Sequence, residues 1–135
     1  MNTKETTKDK VVLSFEVFPP KKTSPISSIY ETLDKLIELK PDSISVTYGA
    51  AGNDTSARTF EIAGKIKERG VESVAHLISI GLTKEDLLKK LEILKEKNVR
   101  TILALRGDKP DFSYPKGDYE HASELIADIK ENSNF

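Results

Sequence analysis

Four short stretches carry side chains able to do chemistry. Glu16 interrupts a run of Val, Leu and Phe, and period-two alternation sets it on one face with Ser14 and Phe18. If that face is a water-poor interior, burial raises the carboxyl's pKa and suits it to donate a proton near neutral pH. The bland alternatives are a strand solvated on one face, or a structural Lys or Arg paired with Glu16. Thr47-Tyr48-Gly49-Ala50-Ala51-Gly52 sets a hydroxyl and an aromatic beside small residues, which lets a planar ligand approach the backbone. It matches neither glycine pattern that cradles phosphates, and a plain tight turn explains it equally well. His76 ends an apolar run, where an imidazole can donate to a ligand oxygen or sit satisfied in a core. Arg106-Gly107-Asp108 lines up a cation, a permissive backbone and an anion directly after another apolar run. There Asp108 can bind an amino-bearing heterocycle or bias the electronics of a cofactor, and Arg106 can hold a phosphate or ribityl oxygen. A helix cap or simple ion pair is the competing reading of Asp108. With two His in the chain and no carboxylate at ligand spacing, a metal site is not expected.

The elements that must position these residues follow from hydrophobic periodicity. Val11 to Phe18, Ser43 to Thr47, Glu72 to Ile78 and Thr101 to Leu105 are β-branched or apolar runs bounded by Pro, Gly or polar loops, and read as strands. Between them the spacing turns helical. Ile29, Leu33, Leu36 and Ile37 share one face of a helix that Pro25 opens and Lys40-Pro41 closes. Phe60, Ala63 and Ile66 point inward from a second helix ended by Gly70. A third begins at the N-cap Thr83 and carries Leu87, Leu88, Leu91 and Leu94, ending near Asn98; a fourth carries Ala122, Leu125, Ile126 and Ile129. Strand starts recur about every 30 residues, the length of one strand-plus-crossover unit. Four βα units with right-handed crossovers form a parallel sheet, so the fold is α/β. The choice lies between a small doubly wound sheet and half of a TIM-type (β/α)8 barrel, which needs roughly 250 residues. In both, ligands bind at the carboxyl ends of the strands, where all four stretches fall.

Length and composition set bounds. The chain has 135 residues, 21 basic against 22 acidic, so no field steers it toward nucleic acid or an anionic membrane surface. No apolar stretch approaches the roughly 20 residues of a spanning helix. The absence of Cys fits a reducing compartment, and the cytoplasm is the expected location. Residues 1–10 read as a frayed tail without the apolar core of a secretory signal, leaving residues 11–135 as one domain.

Taken together, the strand ends resemble the methylenetetrahydrofolate reductase family. Ser14 to Lys21 matches its Ser-Phe-Glu-x-Phe-Pro-Pro-Lys/Arg run, Val46 to Ala50 its Val-Thr-Tyr-Gly-Ala loop, Ala75 to Leu77 its Ala/Pro-His-Leu, and Ala104 to Asp108 its Ala-Leu-Arg-Gly-Asp. Order and spacing agree over nearly the whole chain. Two departures stand out: Ile78-Ser79 where the family usually has Thr-Cys, and His121 where an aromatic usually precedes the Ala-Ser-acidic-Leu stretch. The resemblance implies residues 11–135 as the N-terminal half of a (β/α)8 barrel holding FAD. Such a barrel takes a hydride from NADH or NADPH and reduces 5,10-methylenetetrahydrofolate to 5-methyltetrahydrofolate. It implies Glu16 as general acid and Asp108 as the aspartate near flavin and pterin, both touching the folate substrate. It implies Thr47, Tyr48, Ala50, His76, Arg106, Gly107, Asp108 and Ala122 as flavin or nicotinamide contacts. Four strands supply half a barrel, so a truncated chain with two open sheet edges is expected, inactive alone and prone to homo-oligomerise. A non-catalytic flavin- or folate-binding half-barrel, or an assembly partner, is the alternative.

Overall fold

A computed structural model describes residues 10–48, 56–109, 113, 114 and 116–135; Ala50 and residues 1–9 of the expected tail lie outside them. Four strands, β1 (Ser14–Val17), β2 (Ser43–Val46), β3 (Glu72–Ile78) and β4 (Thr101–Leu105), alternate with four helices, α1 (Tyr30–Glu38), α2 (Ser56–Glu68), α3 (Lys84–Glu96) and α4 (Ala122–Asn132). The sheet is parallel throughout, in the order β1-β2-β3-β4. A doubly wound sheet of the flavodoxin type would set β1 between later strands and cover both faces. Here β1 is an edge, and among the described residues the helices pack on one face alone. Sequential order with one-sided helices is the arrangement of a TIM-type barrel, of which these are four units.

Register fixes which residues share a face. Phe15 pairs with Ile44 and Val17 with Val46; Val46 pairs with Ala75, Ala75 with Ile102 and Leu77 with Ala104. This row packs under the helices with Leu33, Phe60, Ile66, Leu87, Leu94 and Leu125 in one continuous core. The alternate row, Glu16, Ser45, Val74, His76, Leu103 and Leu105, forms the opposite face, which would line a barrel interior.

Local chemistry accounts for the element ends. The Thr83 hydroxyl accepts from Asp86 N–H at 3.2 Å, and Glu85 and Asp86 suit the positive helix start. Lys40 and Asn98 close α1 and α3 in the left-handed region, at φ 55° and 61°. α1 is entered through a 3-10 turn over Ile26–Ile29, with Pro25 as its N-cap.

Three details differ from the sequence expectation. The first strand is four residues, not eight, because its neighbour begins only after Pro41, and a lone edge offers Val11 and Val12 nothing to pair with. Leu13 is tied down differently: it donates to Asp42 Oδ2 at 2.9 Å, and its carbonyl accepts from Asp42 N–H at 2.7 Å. Leu88 and Ile126 are exposed, since the buried stripes run through Leu87-Leu91-Leu94 and Leu125-Ile129 and the intervening residues fall on helix flanks. Among the described residues no helix is long and apolar enough to cross a membrane.

Candidate active site

The expected site residues gather at the carboxyl ends of the strands and on the open sheet face. Glu16 projects from β1 onto that face beside Ser45, with its side chain 53% exposed. The water exclusion that a closed interior would supply is therefore not provided by these four strands. His76, on the same face of β3, is only 5% exposed. Its Nε2 lies 3.4 Å from Glu16 Oε1, a charge contact outside hydrogen-bond geometry, so Nε2 is buried without a hydrogen-bond partner. Burial holds the imidazole below its ordinary pKa, and the Glu16 carboxylate pulls it back up in part. His76 is thus neutral at pH 7, free to donate or accept at Nε2.

Thr47 follows β2 directly. Its N–H donates to Val17 O at 3.0 Å, and its carbonyl accepts from the Thr59 hydroxyl at 2.9 Å, which fastens the start of α2 to the strand end. Tyr48 turns toward the helix layer: its ring is tilted 59° against Phe60 with centroids 6.4 Å apart. Backbone bonding between β3 and β4 continues past both strands, from Ser79 N–H to Leu105 O at 2.8 Å and from Ile80 N–H to Arg106 O at 3.0 Å. Gly107 comes next at φ +83°, where a Cβ would stand 3.2 Å from Ile78 Cβ and from Ile80 Cγ2. The positive φ favours glycine there, and any side chain would press on the flanks of Ile78 and Ile80. Arg106 is exposed, and its Nε donates to Gly107 O at 3.2 Å. Asp108 is exposed and makes no hydrogen bond or ion pair with any described residue, so it is neither the helix cap nor the structural ion pair of the bland reading. Ala122 opens α4, half-buried, behind His121, whose N–H donates to Glu124 Oε1 at 3.1 Å.

Glu16 and His76 are therefore brought into contact, while Arg106, Gly107 and Asp108 form a separate cluster at the end of β4. Sequence reading missed Arg58. Its Nη1 donates to the carbonyls of Pro20, Lys21 and Ser24 at 3.1, 3.0 and 2.9 Å, clamping the loop that follows Glu16 onto α2. One signal was available: a cation in the first turn of a helix opposes the macrodipole and needs another reason to be there. Also missed was the return of the β4–α4 loop. A Cβ on Gly117 would lie 2.5 Å from Leu82 N and O, and Asp118 Oδ2 accepts from Lys84 N–H at 2.8 Å, capping α3 from outside. A groove of about 570 Å³ between α3 and α4, lined in part by Leu88, Lys95, Arg100 and Phe135, lies at the opposite, amino end of β4 and takes no part in this cluster. Among the described residues no three His, Asp or Glu converge as metal ligands.

The match to known proteins covers the same positions. The methylenetetrahydrofolate reductase family profile matches residues 2–135. The 5,10-methylenetetrahydrofolate reductase of Pectobacterium carotovorum subsp. carotovorum is 36% identical over 127 residues, covering 93% of this chain and 42% of that protein. The Escherichia coli (strain K12) protein of the same name gives 36% identity over the same coverage. "Methylenetetrahydrofolate reductase (NADH) 1" of Zea mays is 31% identical over 126 residues, or 90% of this chain and 21% of that protein. The chain thus spans less than half the length of these curated relatives. With the profile running from residue 2 to residue 135, the chain belongs to the methylenetetrahydrofolate reductase family.

Proposed function

We propose that residues 11–135 form the N-terminal half of a (β/α)8 catalytic domain. The whole domain holds FAD and reduces 5,10-methylenetetrahydrofolate to 5-methyltetrahydrofolate with NADH or NADPH, in the cytoplasm. The observation that carries this reading is the placement of Glu16 against neutral His76 on the interior-type face, below the Arg106-Gly107-Asp108 end of β4. Flavin, when bound, supplies the hydride chemistry. The residues fit such a group: at the turn made by Gly107, Arg106 offers a guanidinium and Asp108 keeps an unpaired carboxylate beside it. Thr47, Tyr48, Ala50, His76 and Ala122 complete the contacts to flavin or nicotinamide. Glu16 delivers the proton that opens the folate's five-membered ring, and Asp108 binds the folate and biases the flavin.

Separating the two half-reactions tests the acid. Glu16→Gln in the flavin-loaded enzyme should leave flavin reduction by nicotinamide intact and slow folate reduction by about 10²–10⁴-fold, the usual worth of a positioned acid. Equal loss in both halves would refute the assignment. Titration with FAD, followed by its visible absorbance, checks the cofactor; a chain that stays colourless at saturating FAD would point to the non-catalytic reading. The unpaired edges of β1 and β4 support association with a second copy, to be checked by sedimentation across a concentration series.

A further inference from the structure

We propose that His76 is the positioning residue for Glu16: its Nε2–H holds the carboxylate over the sheet and receives it as an acceptor once the carboxyl has given up its proton. This rests on the reading of Glu16 as the acid. Three observations converge. Among the described residues Glu16 makes no hydrogen bond, and its one ionic contact is His76 Nε2, at 3.4 Å. That Nε2 is buried and without a hydrogen-bond partner, a costly state unless a partner closes on it during use. The shortfall is small as well: 3.4 Å is a few tenths of an ångström beyond an ordinary N–H···O bond, and the Glu16 carboxyl is half exposed.

Among the described residues the surroundings leave the pair isolated. On the same face β2 presents Ser45, and β4 presents Thr101 and Leu103, none of them titratable in the physiological range. Glu72, further down β3, is engaged by Lys67 at 2.9 Å. Glu16 is the charged group that acts on the imidazole. Pairing through Nε2 leaves the rest of the ring for the flavin contact proposed above. In the reaction the carboxyl loses its proton to the substrate and becomes an anion; a neutral imidazole tautomer with its proton on Nε2 then donates to that anion. No electron moves in this step, and the Nε2 proton stays on the ring. The interaction strengthens only as charge develops on Glu16, which is where a catalytic contact is useful.

The chain contains two histidines, so ¹⁵N-histidine NMR resolves the question on the protein itself, with His121→Gln assigning the signals. In the wild-type chain His76 should titrate below an ordinary histidine, with its neutral form protonated on Nε2. Glu16→Gln and Glu16→Ala should both move its midpoint further down and leave His121 in place. Glu16 is half exposed, so neither variant empties the core. A His76 midpoint unmoved in both overturns the pairing, whatever happens to activity. In the flavin-loaded enzyme, His76→Gln keeps an N–H near the ε position and should retain most folate reduction. His76→Leu should lose about tenfold or more, the worth of one hydrogen bond to a charged group. Equal loss in both variants makes His76 merely structural and overturns the proposal. A coupled midpoint together with undiminished folate reduction in Glu16→Gln refutes the acid, and with it any positioning role for His76.

Discussion

The two faces of one sheet have opposite characters. Under the helices, Ile44, Val46, Ala75 and Leu77 are fully buried and join a core that extends through Phe60, Ile66 and Leu94. One residue away along each strand, Glu16, Leu103 and Leu105 face outward into the open, and even buried Ile78 stands apart from that core. Stability in this chain therefore comes from the covered face, and the open face is left free to carry polar groups such as Glu16 and His76. That division is common to barrels, whose strands give alternate residues to an outer helical layer and an inner lining. Its lesson is that chemistry and folding can be perturbed separately here.

The largest effect is expected on the covered face. Phe60 is 1% exposed, touches the Tyr48 ring, and lies 6.0 Å from the Lys90 ammonium. Phe60→Ala should cost about 3–5 kcal/mol by transfer and cavity terms together, read from denaturant midpoints at constant slope. A loss below about 1 kcal/mol would mean that the helical layer is not what stabilises the chain. At the junction of the two faces, Gly107→Ala should cost about 1–3 kcal/mol, since φ +83° strains an L-residue and its methyl would crowd Ile78 and Ile80.

The contrast between faces explains what could be read from the sequence. Strands β3 and β4 were legible to the residue, because each has neighbours or flanking turns that fix both ends. β1 was overextended, since the apolar character of Val11 to Leu13 does not reveal that Pro41 shortens the partner strand. Leu88 and Ile126 were misplaced because a helix flank beside the buried stripe is indistinguishable from the stripe by composition. Of the site, Glu16 and His76 were visible as polar residues where apolar ones were expected, but their contact was not: it spans an intervening strand and depends on register. Arg58 stood out only as a cation in the first turn of a helix, and its partners were illegible because they are carbonyls, which every residue has.

A smaller effect separates the faces by pH. His76 has a folded-state pKa below the 6.5 of a free imidazole, first through burial. Its contribution is present above pH 6.5 and is lost as pH falls from there toward the folded-state value, because the unfolded chain takes up the proton first. On the helical side Tyr119 behaves oppositely. Burial, then its 2.7 Å hydrogen bond to Asp128, raises the phenol well above 10.0, so its contribution is intact below pH 10 and is lost as pH climbs beyond. Thermal melts should thus weaken at both extremes. Tyr119→Phe should flatten the alkaline arm alone. Glu16→Gln should deepen the acid arm alone, since it removes the carboxylate that lifts the His76 value. An acid arm unchanged by Glu16→Gln would contradict the contact between Glu16 and His76 on the open face.

The smallest effect on stability, and the most informative for the open face, is expected at Leu103. This strand residue pairs with His76 in the ladder, yet is 43% exposed, whereas Leu77, next to His76, is fully buried. Leu103→Ser should therefore change stability by no more than about 0.5 kcal/mol, as for surface substitutions away from special features. Its consequence should appear in association: an apolar strand face open to water favours burial against a second copy, and a hydroxyl there weakens that burial. Sedimentation of the variant should shift toward monomer while its denaturant midpoint stays put. If the unfolding free energy falls by several kcal/mol at low concentration, Leu103 is already buried in the folded monomer, and the division of labour between the faces fails at its most exposed strand.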